Sequence, residues 1–236
     1  MPFSGTLHRG EDLSKKRFSG ETFAGAVFHA CTFSGTAFEE CLFRETAFEA
    51  CDLSRVRFDS CRFEGVRFHE CDLSGASFDL LFAPNLVIKE CALHQTRWTR
   101  SLLPGLGIES SGMDGARLSF CMLEGLRMEK CKGSRLSLEM CNLIHSNILG
   151  CELRKAALSE CLVDLSRIEH TDLRGARFSG LKAAGLEWDP VRLDGSKFEE
   201  CVFTRSRVRA EDVNPEGRGL VLTDDAGLHR NGTPHR

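Results

Sequence analysis

Residues 51–80 read CDLSRVRFDS CRFEGVRFHE CDLSGASFDL. Cysteine opens each block of ten, and Leu53, Phe58, Phe63, Phe68, Leu73 and Phe78 recur at every fifth position. The frame does not slip on either side of this stretch. All twelve cysteines carry numbers ending in 1: Cys31, Cys41, Cys51, Cys61, Cys71, Cys91, Cys121, Cys131, Cys141, Cys151, Cys161 and Cys201. From Leu13 to Val213 every residue whose number ends in 3 or 8 is apolar except Gly133, and two positions earlier, from Cys31 to Ser206, only Cys, Ala, Ser, Thr, Val or Leu occurs. Side chains two apart share one face of a strand, so each five-residue unit offers one small and one large inward group. A strict internal period predicts a solenoid.

Within that frame, CDLSGASF (Cys71–Phe78) and TDLRGARF (Thr171–Phe178) resemble the A(D/N)LXX signature of pentapeptide repeat proteins. The resemblance runs over residues 3–213. It implies an all-β fold, a right-handed parallel β-helix of square cross-section with four repeats to a coil and about ten coils. Residues 1–12 are expected to form an N-terminal cap, 13–213 the β-helix and 214–236 a polar tail, in which Leu220, Val221 and Leu222 fold back on the last coil.

The side-chain volumes agree with a packed interior. Leu81 and Leu181 enlarge the small position, and the paired large position shrinks to Ala83 and Ala183, which conserves volume. Glycine is frequent at numbers ending in 5, two residues past the large position. This predicts type II turns, with φ > 0, at alternate corners.

At 236 residues with a net charge of −3, the chain reads as one elongated domain, because a solenoid grows by adding coils. The opening residues lack the apolar run of a signal peptide, and no stretch approaches the roughly 20 apolar residues of a membrane span. A cytoplasmic location is expected, with no membrane contact. Twelve cysteines would suggest disulfides in a secreted chain and metal or redox chemistry in a cytosolic one. With twenty residues to a coil they instead form two columns at the small inward position, where Cys acts as a compact hydrophobe. Rungs about 4.8 Å apart lie within disulfide reach, but parallel stacking and a reducing compartment argue against bridges. No CxxC or Cys/His cluster appears, so no metal is expected. His29 and His69, with Glu49 between them in one column, are the nearest approach to a catalytic constellation. They lie on a flat surface, whereas binding sites are concave. No catalytic residue and no cofactor is expected.

Function then falls to the outward columns. Most read as solvated pairs of opposite charge of small individual value. Acidic residues outnumber basic ones over 21–90, and the balance reverses over 91–210. Glu39, Glu40, Asp59 and Asp79 make the clearest acidic stripe. Leu80, Phe82, Leu102, Phe120, Met122 and Met140 make an outward apolar patch, which marks an interface unless the segments 80–89 and 101–115 cover it or a distorted frame turns it inward. Pro84, Asn85, Pro104 and Glu109 belong to those segments and are candidate loop contacts. Phe198, Phe203 and Val208 are candidates for a homodimer contact at the C-terminal end.

The family resemblance adds a role. Several members protect DNA gyrase or topoisomerase IV from poisons by imitating duplex DNA, and some dimerise at their C-terminal ends. It implies a non-enzymatic protein that docks on DNA gyrase or topoisomerase IV without contacting nucleic acid itself. The alternative is a general interaction scaffold or immunity factor docking through the apolar patch. An enzyme using surface carboxylates and histidines is the weakest reading.

Overall fold

The computed structural model describes residues 5–207 and the backbone of 221–222. Its strands are short, and each pairs in parallel with the strand one coil further on: Leu7–Arg9 with Val27–His29, Arg17–Ser19 with Ala37–Glu39, Thr22–Ala24 with Leu42–Arg44. Parallel strands need a long crossover, and here the crossover is the remaining three sides of the coil. The result is an all-β, four-sided parallel β-helix. The first face is a ten-stranded sheet from Leu7–Arg9 to Glu187–Trp188, and the third is a ten-stranded sheet from Arg17–Ser19 to Lys197–Glu199. The second face is a ladder of single bridges from Asp12 through Asp52 and Gly112 to Asp172, and the fourth joins short strands through a similar ladder at Phe82, Leu102 and Met122.

The inward positions carry the core. Along the third face the rings of Phe18, Phe38, Phe58 and Phe78 stack with centroids 5.1–5.3 Å apart, and Trp98 closes the run on Phe78. Rings on adjoining faces meet edge-on, as Phe58 does Phe63 at 5.1 Å and 87°. Each such pair adds about 1 kcal/mol beyond the burial of its area. Gly133, the one gap in the large series, is filled by its neighbours: a Cβ there would lie 3.1 Å from Leu153 Cδ2 and 3.3 Å from Met113 Cβ.

The ends depart from expectation. Leu7–Arg9 already belongs to the first coil, so the β-helix begins within the segment expected to be a separate cap. His8 holds the large position there, because a flat imidazole can stack on Phe28 (5.0 Å) while its Nδ1 bonds Glu11 (2.7 Å). At the other end Val221–Leu222 pairs in parallel with the strand Val202–Thr204, with Val202 opposite Val221 and Phe203 opposite Leu222. The rest of the segment read as a tail lies outside the described residues.

The corners carry positive φ far more widely than glycine advertised. Beyond the glycines, twenty-five other described residues, all with numbers ending in 0 or 5, have φ between 47° and 61°. At corners such as Leu53–Val56 and Leu73–Ala76 the chain closes a hydrogen bond from the fourth residue to the first (3.1 and 2.9 Å), the type II pattern. The corners ending at the cysteines, such as the one through Ala50, bend through a left-handed residue as well. The square coil demands the bend at all four corners, and side chains other than glycine accept it at a cost of order 1 kcal/mol each. Pro190 stands where the other coils of that corner place a left-handed residue. Its ring fixes φ negative, and the Asp189–Pro190 bond is cis.

Two measurements follow from this geometry. Arg55→Gly, at φ 56° on an exposed corner, should raise the unfolding free energy by about 0.5–1 kcal/mol in denaturant titrations. Phe58→Ala, which empties the centre of the ring stack, should lower it by about 3–5 kcal/mol.

Candidate docking surface

Strand alternation turns the residues on either side of each large side chain outward, and the twenty-residue register stacks them. On the fourth face Phe82, Leu102 and Met122 lie on successive rungs. One corner away, Leu80, Phe120 and Met140 occupy left-handed corner positions, which aim their side chains away from the helix. Leu80, Leu102, Phe120, Met122 and Met140 are each 44–53% exposed. Phe82 is half-buried under the guanidinium of Arg62, 4.9 Å from its ring centroid. The frame is undistorted here. Segments 80–89 and 101–115 run as regular coil and leave the strip uncovered.

No loop projects from those segments among the described residues, which corrects the expectation attached to Pro84, Asn85, Pro104 and Glu109. Pro84 and Pro104 sit at the second residue of tight corners, where a fixed φ near −65° is favoured, and they extend the apolar strip beside Phe82 and Leu102. Asn85 lies at the next, left-handed position (φ 52°), its side chain over Gly105, where a Cβ has no room. Glu109 ends the strand Gly107–Glu109 and pairs with Lys89 at 3.4 Å. Ile144, half-buried beyond Asn142 in the same face, is a further outward apolar residue near the strip's end. Reading both outward columns of each strand would have found it.

The acidic stripe is real in register but partly neutralised. Glu39, Asp59 and Asp79 are directly paired rung to rung, and Glu40 turns the adjoining corner at φ 53°. Arg17 approaches Glu39 at 3.8 Å, Arg100 clamps Asp79 through Nε (3.2 Å) and Nη2, and Asp59 accepts from Ser60 Oγ at 2.9 Å. At the C-terminal end Phe198 and Phe203 are buried, Phe198 stacked on Phe178 at 4.6 Å. Val221–Leu222 takes the backbone edge beside Phe203, so these two side chains offer a second copy no exposed apolar surface. Val208 lies outside the described residues.

The histidines do not converge. His29 Nδ1 lies 3.6 Å from Glu49, whereas His69 Nε2 lies 3.9 Å from Glu90. His69, Glu70 and Glu90 bring one ligand atom each within 4.8 Å of the others, all exposed. The cluster escaped sequence reading because Glu70 and Glu90 are corner residues.

All twelve cysteines are buried, reduced and arranged in two columns on opposite corners. Their thiols donate to backbone carbonyls: Cys51 Sγ reaches Phe28 O and Glu49 O, both at 3.3 Å. Ser166 Oγ makes the same contacts to Leu143 O (2.7 Å) and Asp164 O (3.0 Å), and Thr46 does likewise. Cys, Ser and Thr therefore interchange at the small position because each is compact and offers one donor to the same carbonyls, while Ala, Val and Leu fill it without that bond. Burial pushes the Cys31 and Cys201 thiols up from their ordinary range, which disfavours the reactive thiolate.

Among the described residues one carboxylate is buried. Asp172 accepts from Arg174 Nε (2.9 Å), Arg174 Nη2 (2.7 Å) and Arg154 Nε (2.8 Å). The Arg174 guanidinium above all, with that of Arg154, holds its carboxyl well below the usual carboxylate range.

Residues 12–81 match the family model of a pentapeptide repeat region. Over that stretch the chain is similar to pentapeptide-repeat proteins. Among solved structures, a trypsin-treated variant of QnrB1, a plasmid-mediated fluoroquinolone resistance protein, is 18% identical, with a TM-score of 0.36 and coverage of 93% of this chain and 92% of that one. HetL, a pentapeptide repeat protein involved in heterocyst differentiation regulation from the cyanobacterium Nostoc sp. strain PCC 7120, is 16% identical, with a TM-score of 0.37 over 80% of this chain and 85% of its own. The catalytic domain of an α-1,3-glucanase is 8% identical, with a TM-score of 0.38 over 96% of this chain and 65% of its own. No curated protein matches in sequence.

Two outcomes test this packed interior. A thiol reagent applied to native protein should modify almost no cysteine within minutes and all twelve after unfolding in guanidinium. Asp172→Asn should cost about 2 kcal/mol at neutral pH. A depressed folded-state pKa contributes stability above the unfolded value near 3.9 and loses it as the pH falls, so the wild-type advantage in thermal unfolding should shrink below about pH 4.

Proposed function

We propose that this protein is a docking rod whose apolar strip binds a protein partner, and that the partner is a type II DNA topoisomerase, DNA gyrase or topoisomerase IV, shielded by the rod from a poison. The exposed strip carries the docking reading. Six large apolar side chains stand on consecutive rungs of one face and its adjoining corner with no described segment over them, and a surface of that kind marks an interaction site. Methionines at its centre suit an adaptable contact, and Phe82 and Phe120 supply aromatic anchors.

The topoisomerase reading rests on the resemblance of the repeats to gyrase-protecting members of the family, joined by the acidic stripe beside the strip. Arg17 and Arg100 interrupt the charge of that stripe, so its role in this reading is steering, with affinity drawn from the strip. The divergent pairing of His29 and His69 favours docking over catalysis.

A gyrase supercoiling assay with a fluoroquinolone tests both parts. Wild-type protein at micromolar concentration should restore supercoiling, and the double variant Leu102→Asp, Met122→Asp, with unchanged thermal unfolding because both side chains are exposed, should need at least about tenfold more protein. No effect of the wild type would remove the topoisomerase from the reading. Full activity of the double variant would remove the strip.

A further inference from the structure

Several outward charges on this β-helix are matched on their own rung or the next. Arg62 meets Glu64 at 2.6 Å, Arg167 meets Glu169 at 3.3 Å, and Lys132 meets Glu152 at 3.8 Å. The third face abandons the pattern on two successive rungs. Its leading column runs Arg57, Ser77, Arg97, Arg117 and Ser137, with Arg97 directly opposite Arg117 in the ladder. The trailing column, which supplies Asp59 and Asp79 further down, reads Thr99 and Ser119 beside those two arginines. Neither arginine, nor Arg135 on the adjoining corner, has a carboxylate within the 4.0 Å of an ion pair among the described residues. Like charges facing each other across strands destabilise a sheet, so the unliganded protein carries a local excess of positive charge.

That excess lines a hollow. At the corner between the second and third faces, beside Gly115, lies a groove of about 660 Å³ walled by Arg97, Arg117, Arg135, His94 and Gln95. His94 lies over Gly112, where a Cβ would come within 2.7 Å of its ring. Its Nδ1 accepts from the Asp114 N–H at 3.3 Å, a tautomer that leaves Nε2 as a donor. Asp114, the one acid on the groove wall, accepts from the Ser134 N–H at 2.7 Å and lies 3.9 Å from His94 Nδ1. Glu139, one rung on, reaches Ser119 Oγ at 3.4 Å. The groove thus presents three unmatched guanidiniums, with amide and hydroxyl groups around them.

We propose that this groove is an anion site for a diphosphate group, held by Arg97, Arg117 and Arg135. The planar fork of a guanidinium matches phosphate oxygens in pairs, and a diphosphate carries enough charge to relieve the repulsion between neighbouring rungs. The groove lies a full face away from the apolar strip, so it is independent of the docking reading.

Calorimetric titration of the full chain with pyrophosphate at fixed ionic strength tests the site. A saturable single-site isotherm is expected, with sulfate at least about tenfold weaker and with Arg97→Gln and Arg117→Gln each weakening pyrophosphate by at least about tenfold. ADP should match pyrophosphate if the groove reads the diphosphate alone and exceed it if the nucleoside is also held, and both results support the site. Heat that never saturates, sulfate equal to pyrophosphate, or undiminished binding by Arg117→Gln overturns it. The unliganded glutamine variants should unfold at the same temperature as the wild type or higher, because a repulsion has been removed. A lower temperature would show that the arginines support the fold, and would overturn the proposal as well.

Discussion

The structure depends on one constraint: a residue's nearest neighbours across the backbone hydrogen bonds are the residues one coil before it and one coil after it. Because strand pairs repeat the same offset from Leu7 to Glu199, chemistry is multiplied along columns. Like stacks on like. For Phe38 and Phe58 this is favourable, since parallel rings pack and bury area together. For Arg97 and Arg117 it is unfavourable unless something of opposite charge lies alongside. The interior therefore tolerates monotony, while the exterior must either alternate its charges or expose an imbalance.

Both candidate sites are places where the exterior does not balance itself. The apolar strip collects leucine, methionine and phenylalanine on consecutive rungs where other columns carry charge, and the arginine groove keeps its cations where the acidic column lapses to Thr99 and Ser119. Neither disturbs the core beneath, because the small and large inward series continues under both. A solenoid can vary its surface rung by rung in this way, since each outward side chain is anchored by a strand whose stability comes from the opposite side.

The inward columns were legible in the sequence because a period of five with two inward positions admits no alternative placement: Leu81 beside Ala83 and the cysteine series are read without a structure. Corner geometry was legible only in part. Glycine marked some left-handed residues, but Glu45, Arg55 and Phe120 adopt the same conformation, imposed by closure of the coil and invisible in side-chain type. The expected N-terminal cap was drawn too long because His8 is polar, yet stacked on Phe28 it behaves as an aromatic plate. The dimer reading of Phe198 and Phe203 likewise took an apolar terminal coil to be an exposed one.

The register, and through it which side chains are inside, was readable from residue order alone, because burial at a fixed period leaves little freedom. How outward residues on different faces meet came only with the folded coils: Leu80 and Phe82 share one edge, His69 turns to Glu90 and not Glu49, and a groove beside Gly115 collects three arginines without an ion pair. Those relations depend on the angle at each corner and on side-chain reach between coils, and neither is written in the order of residues along a strand.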